Sequence, residues 1–167
     1  LPIRIANPIS SDFITMRRTL RDTVLKTVTN NLKTWRGPIS IFELGHTFQL
    51  SSKEGSIDEE VMVVGALAGP AKDLHWSVPV GEVDFYDIKG IVENLLLDLR
   101  LDAKFIDTED ATFSTGRVAK IMCKNREVGV LGDVRDEVLQ SFEIDGNSVS
   151  MFELNLARVS DLMPDQN

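Results

Sequence analysis

A single cysteine, Cys123, stands in a chain of 167 residues, so no internal disulfide can form, and a reducing compartment suits it. No apolar run approaches the roughly 18 residues that a membrane helix needs, and none of these residues reads as a signal peptide. There are two histidines, His46 and His75, with no partner at metal-ligand spacing. Zinc sites usually need three or four ligands, so no metal centre is expected. Gly-x-Ser-x-Gly, the turn that exposes a hydrolase serine, is missing. So is Gly-x-x-x-x-Gly-Lys-Ser/Thr, the loop that cradles phosphate. Internal repeats and low-complexity tracts are also lacking. The first residue is Leu1 rather than methionine, and residues 1–167 read as one domain cut from a longer polypeptide.

What the chain does have is apolar content and acid. Apolar residues make up 43%, and a domain of this size hides roughly 70% of its unfolded surface. The net charge is −8. Acidic chains are poor default partners for nucleic acid, whose affinity comes from lysine and arginine on phosphates. The charge is uneven, however: residues 1–36 carry +5 and the remainder −13. That basic end is a solvated helix face, a contact with an acidic neighbour, or an RNA contact through Arg17, Arg18 and Arg21.

Periodicity outlines the elements. Ile3 to Ala6 reads as a short strand, broken by Asn7-Pro8-Ile9-Ser10-Ser11. A helix is expected over about 12–35, with Leu20, Val24, Val28, Leu32 and Trp35 in one stripe, ended by Gly37-Pro38. Residues 39–50 alternate with period two. Phe42, Leu44, His46, Phe48 and Leu50 share an apolar face opposite Glu43, Gly45, Thr47 and Gln49. Residues 51–59 form the tip of a hairpin, and 60–69, apolar on both sides, form a central strand. After a loop holding His75 and Trp76, Asp84 caps a helix to about Leu99, with Asp87 completing a weak capping box. Its stripe is Ile88, Ile91, Val92, Leu95, Leu96 and Leu99. A short strand at 104–107, a hairpin of 117–123 and 127–131 closed at Lys124-Asn125-Arg126, a helix at 136–142 and a strand at 149–156 follow. The tail after Val159 reads as polar and loose. Hairpins imply antiparallel pairing, so the fold class is α+β, an antiparallel sheet flanked by helices on one side.

No residue set spells out a catalytic site. His46, on an apolar strand face, is expected to be a hydrogen-bonded core histidine. Cys123, beside Ile121 and Met122, is expected to be a small core residue rather than a reactive thiolate. Asp84 and Asp87 are explained by the helix start. Glu43, on the polar strand face, is of the kind that binds a cation or an adenine amine.

Several stretches in order resemble the beta chain of bacterial-type phenylalanyl-tRNA synthetase. They are Asn7-Pro8-Ile9-Ser10 with Met16-Arg17-Arg18-Thr19-Leu20, then Ile41 to Phe48, then Asp84-Phe85-Tyr86-Asp87-Ile88-Lys89-Gly90, then Gly116 to Ile121, Leu131-Gly132-Asp133 and Phe152-Glu153-Leu154-Asn155-Leu156. The resemblance implies a class II synthetase-like sheet without catalytic residues of its own. Where active class II copies end a strand in Gly-x-x-Phe-Arg, Gly45-His46-Thr47-Phe48 is followed by Gln49. A neutral amide cannot replace a guanidinium on phosphate. The later Gly-rich, Arg-ending motif is replaced by residues 152–156. The resemblance further implies an interaction domain in the cytoplasm that packs on the alpha chain and the rest of the beta chain. Contact with tRNA(Phe) is compatible with it, and ATP and magnesium are needed only by the parent enzyme. By analogy with the class II dimer, the helix of 12–35 is the candidate interface, through Arg17, Arg21, Val28 and Trp35. Two alternatives stand beside it: a class II-like ligase using Arg117 or Lys120 in place of the missing arginine, and a separate RNA- or small-molecule-binding α+β domain.

Overall fold

In the computed structural model, residues 3–7, 15–51, 56–72 and 81–164 are described. The elements run α1 (Arg21–Leu32), β1 (Ile39–Leu50), β2 (Ile57–Ala68), α2 (Phe85–Asp98), β3 (Ala103–Asp107), β4 (Phe113–Cys123), β5 (Arg126–Val134), α3 (Asp136–Ser141), β6 (Val149–Asn155) and α4 (Leu156–Leu162). The strands form one sheet in the order β1-β2-β6-β5-β4-β3, every neighbour antiparallel. The α+β class is therefore as the hairpins predict.

The helices, however, lie on both faces rather than one. Alternate residues of the central strands feed two separate cores. Val64, Ala66, Val149 and Met151 pack with Leu20, Val24, Leu25 and Val28 at α1 and with Leu139 of α3. Val63, Leu67, Phe152 and Leu154 pack with Ile88, Val92 and Leu96 of α2 and with Val159 of α4. A strand apolar on both sides, such as β2, needs cover on both sides.

Local chemistry explains the boundaries. The β4–β5 hairpin turns at Lys124 (φ 46°) and Asn125 (φ 63°). Two successive left-handed residues match the twist of the strands they join. At α2, the Asp84 carboxylate accepts from the Tyr86 and Asp87 amides, and Asp87 accepts from the Asp84 amide, so the capping box is complete. α1 starts at Arg21, and residues 12–14 of the expected helix fall outside the described residues. Residues 15–17 are extended instead: Met16 N donates to Ile3 O, and Phe48 N donates to Arg17 O. A segment bonded along a strand edge cannot also be helical. At the other end, α4 replaces the expected loose tail, with the Asn155 side chain accepting from Arg158 N at 3.0 Å. The loop bearing His75 and Trp76 falls outside the described residues.

β1 occupies residues 39–50 as the alternation predicts, but its faces are reversed. The small and polar side, Gly45 and Thr47, is buried, while Phe42 is 76% exposed and Leu44 60% exposed. His46 shares that outer face and is not a core histidine: it is exposed, with Nδ1 at 2.7 Å from Glu59 Oε1. The cause is α1 and the chain leading into it, which lie over the other side. A Cβ at Gly45 would run into the guanidinium of Arg17.

Candidate functional site

One face of the sheet, at the N-terminal end of α1, holds a polar cavity of about 240 Å³. β6 contributes Glu153 and Asn155, β4 Lys120, β2 Glu60 and α4 Arg158, and the connection after β3 brings Glu109 and Asp110. Arg21, the first residue of α1, is its centre. Its Nε donates to Glu153 Oε2 at 2.8 Å, and Nη1 donates to both oxygens of Asp110 at 2.9 and 3.0 Å. Nη1 also reaches Thr112 Oγ1, and the guanidinium lies 4.9 Å from the centre of the Phe113 ring. The Arg21 side chain is only 12% exposed and that of Glu153 11%. Thr19 Oγ1 donates to the second Glu153 oxygen at 2.8 Å. Fixed donors of this number make a rigid clamp.

Burial works against ionised Asp110. The Thr112 amide and Arg21 outweigh it and hold the carboxyl below the ordinary aspartate value. Among the described residues that line the cavity, carboxylates are in excess: Glu60, Glu109, Asp110, Glu127 and Glu153 face Arg21, Lys120 and Arg158. Arg158 is itself engaged, 3.5 Å from Glu60 and donating to the Glu127 carbonyl. The arrangement repels an anion and leaves no free guanidinium to hold phosphate.

The residues singled out from the sequence are scattered by comparison. Arg17 donates from Nε to the His46 carbonyl (2.8 Å) and from Nη1 to Glu43 (2.7 Å), tying its own segment to β1 and occupying Glu43. Val28 is fully buried in its own core. Trp35 is exposed beyond the end of α1, its Nε1 donating to Pro38 O. Gln49 is exposed near the end of β1, opposite Asp58, and does not line the cavity. Of the two substitute cations, Lys120 lines the cavity, whereas Arg117 pairs with Asp133 at 3.5 Å. Cys123 is fully buried as expected, and burial followed by the nearby Asp102 pushes its thiol up. Glu153 and Arg158 were not among the candidate site residues of the sequence. A lone charge inside the otherwise uncharged stretch 149–154 was the available signal, because such a group must find a cation when buried.

The opposite face carries an apolar groove of about 360 Å³ between β1 and α2, lined by Phe42, Val63, Ile88, Ile91, Leu95 and Phe152 among others. Comparison with known proteins shows the family. The family model described as the phenylalanyl-tRNA synthetase beta chain CLM domain matches residues 1–156. The chain belongs to that family. A phenylalanine–tRNA ligase beta subunit from Ralstonia nicotianae is 34% identical over 95% of this chain and 20% of its own length. One from Burkholderia lata is 36% identical over 92% and 20%, and one from Dehalococcoides mccartyi is 31% identical over 94% and 19%. The chain thus spans about a fifth of the length of these relatives. No helix among the described residues is long and apolar enough to cross a membrane.

Proposed function

We propose that this domain is a non-catalytic interaction module of a cytoplasmic phenylalanine–tRNA ligase beta subunit. It supports the ATP-dependent attachment of phenylalanine to tRNA(Phe) by the alpha chain, on which it packs together with the rest of the beta chain. In this reading the sheet is a class II synthetase-like scaffold whose nucleotide face has become an internal clamp. The observation that carries it is the Arg21–Glu153–Asp110 network: a cavity lined by five carboxylates and three cations, with both arginines engaged, is a poor receptor for a nucleoside triphosphate. ATP and magnesium then belong to the alpha chain. Because Arg17 and Arg21 are committed within the chain, tRNA binding through the basic end is not favoured.

Lys120 favours a second reading. It lines the cavity without an ion-pair partner among the described residues, and a lysine there is the one group able to meet an α-phosphate. Sizing chromatography with and without the alpha chain, with phenylalanine-dependent ATP–pyrophosphate exchange read on every fraction, separates the two. Co-elution with exchange only where the alpha chain is present supports the module. Exchange by this domain alone, lost in Lys120→Ala, makes it an enzyme.

A further inference from the structure

Resting on the reading of this domain as part of a beta subunit, we propose that the groove between β1 and α2 is the seat of another part of the same polypeptide, an apolar segment flanked by lysine or arginine. α2 has a wider apolar stripe than this chain covers: Ile88, Val92 and Leu96 are buried, but Ile91 is 43% and Leu95 37% exposed. Across the groove stands Phe42, and Leu44 follows two residues on along the same face of β1; they are the two most exposed large apolar residues of that strand. Exposed large apolar side chains gathered in this way mark an interface more often than a bare surface. Small ligands need convergent polar groups to fix their orientation. Ser40 is the single polar side chain lining this groove among the described residues, which points to a polypeptide instead.

The rim defines the chemistry of the occupant. On α2, Asp87 lies one turn before Ile91 and Asp98 one turn after Leu95, both exposed. Acidic groups along the α2 side of an apolar floor suit an apolar segment with basic flanks. They also disfavour a second copy, because a two-fold contact would bring the acidic rims of two chains with net charge −8 together. About four-fifths of the length of the curated relatives lies outside the region matched here. A tethered segment meets its site at roughly millimolar effective concentration, which no separate protein matches without a tether.

The test places a photo-crosslinking phenylalanine analogue at position 42 of a full-length beta subunit carrying this domain, in its assembled enzyme, with exposed Asn30 on α1 as the control position. The expected product is an intrachain crosslink from position 42 to a Lys- or Arg-flanked peptide outside these 167 residues. Its yield should fall about tenfold when Ile91→Glu places charge in the groove, equivalent to ~1.4 kcal/mol. Crosslinks to a separate polypeptide or to a second copy overturn the proposal. So does a yield no greater than at position 30, or one unchanged by Ile91→Glu.

Discussion

Replacing Arg21 by methionine keeps most of the side-chain volume and removes the charge, so it isolates what the clamp contributes. Glu153, 11% exposed at its side chain, loses its strongest donor, and Asp110 loses two hydrogen bonds while keeping the Thr112 amide. Removing one member of a buried ion pair costs ~3–5 kcal/mol, because the partner is left charged and unpaired. The cavity here admits some water, so about 2–4 kcal/mol is the expected loss, a large share of the ~5–15 kcal/mol that a domain has. Urea unfolding followed by circular dichroism should show a lower midpoint at unchanged slope. The triple variant Arg21→Met, Asp110→Asn, Glu153→Gln should recover at least half of the loss, since neutral amides remove the unpaired charges and keep most acceptors. The pH profile gives an independent reading. Asp110 is held below the ordinary value, so its contribution is full above that value and is lost as pH falls through the folded one. In Arg21→Met that loss should begin at higher pH. A single-variant cost below ~1 kcal/mol, or a triple variant worse than the single, would refute the view of this network as a closed clamp.

How much of this was legible depended on whether a residue's partner is near it in the chain. The β4–β5 hairpin and the capped α2 were readable because Lys124-Asn125 and Asp84-Asp87 complete their chemistry within four residues. The role of Arg21 was not, since Glu153 and Asp110 lie 132 and 89 residues away. β1 shows a different failure. Alternation identified the strand and divided its faces, but an apolar face predicts burial only when the same chain covers it. Here Arg17 and α1 cover the Gly45 side, and the Phe42–Leu44 side stays open. α4 was missed because Leu156, Val159 and Leu162 are a stripe of only three residues, and the Asn155 cap was read as the end of a strand. The departure from Gly-x-x-Phe-Arg singled out Gln49 only through the resemblance, and the sequence could not place Gln49 at the surface, away from the polar cavity.

Backbone proximity and buried charge give the remaining predictions. A Cβ at Gly129 would overlap the Glu153 carbonyl on the neighbouring strand, whereas one at Gly65 meets only the edge of the Phe152 ring. Thermal melts should therefore show Gly129→Ala failing to fold or losing more than ~3 kcal/mol, and Gly65→Ala losing ~1–3 kcal/mol as the ring repacks. Asp133 gives a pH dependence of opposite sign to that of Asp110. Burial raises its pKa; hydrogen bonding from Ser150 and the Arg117 charge oppose this, and Asp84 and Asp87 reinforce it. Between the ordinary aspartate value and this raised one, the folded chain keeps a proton that the unfolded chain has released. Stability therefore falls as pH rises through that window. Asp133→Asn removes the charge and leaves an acceptor for the Ser150 hydroxyl, which donates to Asp133 Oδ1 at 2.7 Å. Urea midpoints measured from acid to neutral pH should then show the variant gaining on the parent as pH rises through that window and keeping the gain above it. A constant difference across the range would mean that the Arg117 pairing fully offsets the cost of burying this carboxylate, and the account of Asp133 as a destabilising charge beside the α2 N-terminus would be wrong.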